Sequence, residues 1–238
     1  MMNRMTDLVV ALDFNQATEA EKLMSALQDL PLIYKVGLEL FTVVGPEWVM
    51  KQTSSGKRIF LDLKLHDIPN TVMKTILQIE KMGVEFTTVH LSGGHKMLDT
   101  IADNLPPGSK LKVLGVSVLT SFEEEEWISN MSLIAKLGAA RSIHDSVLHY
   151  AALASDHPAI AGMVCSPHEV SEIKNKHHGL FLMVPGIRPE GIEKNDQARV
   201  MTPEEANLAG ASAIVVGRPI TQSENPRKIA EQILHDLT

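Results

Sequence analysis

Apolar residues along the chain gather in short runs, separated by longer segments in which they recur every three or four positions. Residues 8–12 (LVVAL) form the first run, and 32–36 (LIYKV), 57–63, 86–90, 111–116, 160–165, 179–184 and 213–216 repeat it. Runs of this length, bounded by turn signals, predict buried strands. Between them, Ala20, Leu23 and Leu27 space a helix over 16–28, and Val72, Ile76 and Ile79 space another through about 82 from Asn70 and Thr71. The same spacing predicts helices over 43–53, 97–104, 130–139, 142–155, from Pro167, over 202–209 and over 226–234. Eight strand candidates alternating with helices predict an α/β fold of the (β/α)8 TIM-barrel type, with residues 1–238 as a single domain. A doubly wound open sheet is built from the same alternation, but no glycine-rich turn follows the first strand, which weakens a dinucleotide-binding reading.

Charges inside the apolar runs change this picture. Lys35 lies within the second strand candidate and Asp13 ends the first, while the stretch FLDLKLHDIPNT at 60–71 carries Asp62, Lys64 and Asp67. Burying such groups is costly unless they are paired or used, so the stretch alone fits a structural ion pair as well as a catalytic one. In a barrel, however, the carboxyl ends of the strands converge on one mouth, and two lysines among three aspartates there predict a charged catalytic network. Two further loops, VPGIRP at 184–189 and VGRPI at 216–220, follow successive strands and place Arg188 and Arg218 for an anion, with backbone donors beside them. His66 and His90 lack the spacing of paired metal ligands and read as supporting groups, and His177 and His178 read as solvent-facing. The acidic run 123–126 reads as a solvated helix or lid surface.

Composition narrows the partners. A net charge of −7 argues against a general polyanion surface, and an aromatic content of 4% leaves no stacking platform for nucleic acid. One cysteine, Cys165, permits neither an intrachain disulfide nor a thiolate metal cluster, and its apolar surroundings predict a small buried hydrophobe. The first residues lack a signal-like apolar stretch and no later run reaches membrane-spanning length, which predicts a cytoplasmic chain with no membrane partner.

Taken together, ALDF at 11–14, KVG at 35–37, FLDLKLHDIPNT at 60–71, VHLSGG at 89–94, VPGIRP at 184–189 and VVGRPITQ at 215–222 resemble the orotidine 5'-phosphate decarboxylase family in its bacterial form. The resemblance implies conversion of orotidine 5'-monophosphate to uridine 5'-monophosphate and carbon dioxide without metal or cofactor. It implies a catalytic network of Lys35, Asp62, Lys64 and Asp67, in a homodimer where Asp67 and Thr71 reach the partner's site. Asp13 and Lys35 would meet the ribose, Thr120 the pyrimidine, and Arg188, Gln197, Gly217 and Arg218 the phosphate side, with the loop from Pro189 to Arg199 as a lid. Two other readings are a metal-dependent sugar-phosphate decarboxylase or aldolase of the same barrel group, and an inactive nucleotide-binding protein.

Overall fold

The computed structural model describes residues 6–134, 142–189 and 201–238. In chain order these form β1 (Asp7–Ala11), α1 (Ala17–Ala26), β2 (Leu32–Gly37), α2 (Leu38–Ser54), β3 (Arg58–Leu65), α3 (Pro69–Lys81), β4 (Phe86–His90), α4 (His95–Asn104), β5 (Lys112–Val116), α5 (Glu124–Ile134) and α6 (Ile143–Asp156). They continue with β6 (Gly162–Val164), α7 (Val170–Lys176), β7 (Phe181–Val184), α8 (Pro203–Leu208), β8 (Ala213–Val216), α9 (Arg218–Thr221) and α10 (Pro226–Asp236). The strands pair in parallel in sequence order and β8 returns to β1, closing the barrel. This is the expected (β/α)8 architecture.

Side-chain alternation along each strand sorts the apolar residues into two cores. Leu8, Val10, Tyr34, Ile59, Leu61 and Val113 face outward and join the helices in the larger core, whereas Val9, Ala11, Ile33, Phe60, Phe86 and Leu114 fill the interior. Phe86 anchors that interior, stacking on Phe181 at 5.2 Å and meeting Phe60 edge-on at 6.2 Å. Following the inward positions along the strands gives columns that run from charge through apolar packing to charge or polarity: Asp7, Val9, Ala11, Asp13 on the first, Arg58, Phe60, Asp62 on the third. At the amino end, Arg58 binds Glu85 at 2.8 Å and Asp7 at 3.0 Å, and Lys112 reaches Glu85 at 3.2 Å. That cluster closes the floor of the barrel with every charge paired.

Several boundaries differ from the expected ones for identifiable reasons. The helix anticipated from residue 43 begins at once after β2, and it bends at Gly45 (φ 66°), where the left-handed backbone and Pro46 start a second helical piece. The acidic run belongs to a helix: Glu124, Glu125 and Glu126 occupy the first turn of α5, where they complement the helix dipole, and they are solvent-exposed as expected. The helix predicted over 130–139 is therefore the later part of α5 as far as Ile134, and its remainder lies outside the described residues. Pro167 opens a single 3-10 turn, Pro167–Glu169, and α7 follows. The four-residue α9, too short to show helical spacing, went unpredicted.

Candidate active site

Continuing the inward columns upward leads to the mouth of the barrel. The next inward residue after Ile33 is Lys35, after Phe60 it is Asp62, and after Ala11 it is Asp13. Lys35 Nζ lies 2.8 Å from Asp13 Oδ1, and Lys64 Nζ lies 2.7 Å from Asp62 Oδ2. The second pair is the more enclosed, since the Asp62 side chain is 10% exposed against 61% for Asp13. A buried carboxylate held this way needs its remaining oxygen satisfied as well. The Thr88 hydroxyl does this, donating to Asp62 Oδ1 at 2.9 Å while accepting the Lys64 backbone N–H at 2.8 Å.

The backbone around this pair is irregular. Leu61 aligns with Thr87 and Leu65 with Val89, so Asp62, Leu63 and Lys64 stand opposite Thr88 alone. Lys64 has φ 49°, a left-handed conformation that costs a non-glycine residue roughly 1–2 kcal/mol. The strain sits on the residue whose ammonium faces the site.

Lys35, Asp62, Lys64 and Thr120 line one cavity of about 210 Å³, whose other walls include Phe60, Val118, Leu119, Met183 and Val215. The charged lining residues come from β2 and β3 and most of the apolar ones from β5 through β8 and the residues just after them, an arrangement suited to a flat ring carrying an acidic group. Cys165 also borders the cavity but is 2% exposed, and burial followed by the charge of Glu169 pushes its thiol well up. It behaves as the small buried hydrophobe expected, with no thiolate character. Above β4, the His66 and His90 rings lie 5.3 Å apart. Burial, then the charges of His66 and Lys64, hold His90 below the ordinary imidazole range, against a smaller opposing effect of Asp62.

The expected anion residues flank the ends of β7 and β8. Arg188 is 7% exposed, its Nη1 donates to the Ile187 carbonyl at 2.9 Å, and its backbone N–H bonds the Met201 carbonyl, which ties the loop after β7 to the residue leading into α8. Gly217 caps α9 and Arg218 begins it. A Cβ at Gly217 would lie 3.8 Å from Asp13 Oδ2, so this turn adjoins the Asp13–Lys35 pair. Gln197 and most of the expected lid lie outside the described residues.

Asp67 and Thr71 stand apart from the cavity. Asp67 is exposed and accepts the Ile68 backbone N–H at 2.7 Å. Thr71 lines a separate open groove of about 470 Å³ with Phe41, Leu63, Lys74, Gln78 and Met82. Among the described residues, no group of three or more His, Cys, Asp or Glu side chains could hold a metal ion. Likewise, no described helix is long and apolar enough to cross a membrane.

Thr88 was absent from the sequence-derived residues. A threonine within a strand is unremarkable, but counting two positions on from the inward Phe86 points to it, as the same count points to Asp62 from Phe60.

A closed parallel barrel with ion pairs at the carboxyl ends of its strands, beside a half-apolar cavity, is the arrangement of a barrel enzyme. The model of the orotidine 5'-phosphate decarboxylase / HUMPS family matches residues 6–233. An orotidine 5'-phosphate decarboxylase of Legionella pneumophila (strain Corby) is 41% identical over 97% of this chain and 98% of its own length, and one of Staphylococcus haemolyticus (strain JCSC1435) is 43% identical over 93% and 94%. The crystal structure of the orotidine 5'-phosphate decarboxylase from Lactobacillus acidophilus superposes with a TM-score of 0.83 at 35% identity, covering 98% of this chain and 99% of that one. The chain belongs to the orotidine 5'-phosphate decarboxylase / HUMPS family.

Proposed function

We infer that this enzyme decarboxylates orotidine 5'-monophosphate to uridine 5'-monophosphate, and that the 2.7 Å pair of Lys64 and Asp62 at the cavity wall carries the chemistry. Loss of carbon dioxide from C6 of the pyrimidine leaves an electron pair at a ring position with little delocalisation. An ammonium held in place before reaction stabilises that charge without reorganising solvent, and the same group then delivers its proton to C6. Lys64 is the ammonium, and Asp62 keeps it oriented near the departing carboxylate. The apolar wall of Val118, Leu119, Met183 and Val215 shields the developing charge from water.

Asp13 and Lys35 bind the ribose hydroxyls, Thr120 borders the base, and Arg188, Gln197, Gly217 and Arg218 hold the phosphate. The adjacency of the Gly217 turn to Asp13 supports this order along the mouth, from phosphate through ribose to base. Phosphate binding far from C6 then supplies binding energy that organises the site around the reacting carbon.

Asp67 and Thr71 act in the site of a second copy. Their separation from the cavity in one chain supports this, as does apolar exposure on the neighbouring elements, where Leu38 is 58% and Ile68 is 67% exposed. The functional unit is then a homodimer in which Asp67 of one protomer steadies Lys64 of the other.

Loss of pyrimidine absorbance from orotidine 5'-monophosphate, followed with chelator-treated enzyme, tests the reading. Full turnover is expected, and it disappears in Lys64→Ala. Near-normal turnover in Lys64→Ala refutes the proton donor, and turnover that returns only with added divalent metal refutes the metal-free mechanism. Arg218→Ala is expected to raise KM by about 100-fold or more, the loss of a charge-assisted anion contact.

A further inference from the structure

Opposite the irregular segment of β3, a single residue of β4 replaces the regular ladder. Between the Leu61–Thr87 and Leu65–Val89 partners, β3 has three residues and β4 has only Thr88. The backbone N–H of Lys64 therefore loses a regular strand partner, and the Thr88 side chain accepts it at 2.8 Å. The hydroxyl proton is then directed onto Asp62 Oδ1 at 2.9 Å, the oxygen not engaged by Lys64 Nζ. One fully buried hydroxyl thus binds the backbone of the ammonium residue and the side chain of its counter-ion.

We propose that Thr88 is a positioning residue for the decarboxylation, holding Lys64 in its left-handed backbone conformation and Asp62 in its rotamer so that ammonium and carboxylate keep one fixed separation. This rests on the reading of Lys64 as the proton donor. Without the hydroxyl, nothing else described binds the Lys64 N–H or Asp62 Oδ1, and the strained backbone at φ 49° relaxes towards an extended strand. The ammonium then moves relative to C6, whereas the substrate contacts made by Asp13, Lys35 and the phosphate side are untouched. The effect belongs in kcat and leaves KM nearly unchanged.

Neighbouring Thr87 provides the control. It is equally buried and donates to the Leu61 carbonyl at 3.0 Å, so it secures the same strand without touching either charged side chain. Thr88→Val, close in shape but lacking the hydroxyl, is expected to lower kcat about 10- to 100-fold with KM within about threefold, as displacement of a reacting group does. Thr88→Ser keeps the hydroxyl and is expected to stay within about threefold of the native kcat, as is Thr87→Val. Thr88→Cys preserves size but weakens both bonds, and gives the same kcat-selective loss should the valine variant not fold. A native kcat in Thr88→Val or Thr88→Cys overturns the proposal, and so does a loss in Thr87→Val or Thr88→Ser that equals theirs. Lys64→Ala measured alongside separates the two readings: turnover there refutes the role of Lys64, whereas an inactive Lys64→Ala with a fully active Thr88→Val refutes the role of Thr88 alone.

Discussion

Adding one methyl group between β6 and β7 should cost more than adding one almost anywhere else in the barrel wall. A Cβ built on Gly162 would lie 2.3 Å from the Phe181 carbonyl oxygen and 2.7 Å from the Phe181 Cβ, both inside the 3.0 Å below which Cβ contacts are essentially never found. The obstructing atoms include backbone, and Gly162 pairs directly with Phe181, so the two strands must separate. Overpacking costs about 1–3 kcal/mol, and each strand hydrogen bond stretched open adds about 1 kcal/mol. Gly162→Ala is therefore expected to lose about 3 kcal/mol, which shifts a urea midpoint down by roughly 1 M for a chain of this size. Gly115→Ala is the matched comparison, because the three atoms nearest its Cβ, at 2.5 to 2.8 Å, all belong to the Leu91 side chain. Leu91 is 1% exposed and yields only by repacking against its neighbours, but no strand pair has to part, so the cost is the overpacking alone, about 1–3 kcal/mol. Urea unfolding followed by circular dichroism measures both. A midpoint for Gly162→Ala within about 0.2 M of native, or a greater loss for Gly115→Ala, refutes the distinction between backbone and side-chain obstruction.

The remaining expectations concern the floor of the barrel and the second protomer. Burial raises the Glu85 carboxyl, but the bonds and charges of Arg58 and Lys112 outweigh it and hold that group below its ordinary range. A lowered folded value contributes stability that is present above the unfolded value, about 4.3, and is lost as pH falls through the folded one. Arg58→Ala leaves burial less opposed, so acid unfolding followed by circular dichroism should begin at a higher pH; an unchanged midpoint contradicts the assigned cause. If Asp67 serves the partner's site, mixing inactive Lys64→Ala and Asp67→Asn proteins and allowing exchange should restore about a quarter of native activity, because half the dimers are mixed and each has one intact site. No recovery after verified exchange places Asp67 in its own chain's site.

Much of the fold was legible because the barrel repeats a simple signal. Phe86–His90 and Ala213–Val216 are short apolar runs between turn residues, and both strands have the bounds expected of them. Asp13, Lys35, Asp62 and Lys64 announced themselves as charges in or at the end of buried runs, and they meet as two ion pairs. Local pattern could not show the bend at Gly45, which falls inside the helix expected over 43–53 and joins two helical pieces there. Nor could it show that β3 continues to Leu65 through an irregular register, because that depends on its pairing with β4. Thr88 was missed for the same reason: its importance lies in what faces it across the sheet.

Eight similar strands invite a picture of rotational symmetry, and the extra residues in β3 break it. A regularised barrel with equal strands could keep every hydrophobic position and the letters Asp-Leu-Lys, yet it would return Lys64 to an extended backbone and give Thr88 an ordinary strand neighbour. The reactive pair would survive as a sequence and vanish as a geometry. Transplanting this chemistry into another barrel therefore means carrying over a two-strand patch, β3 together with the threonine of β4, and preserving the mismatch between them.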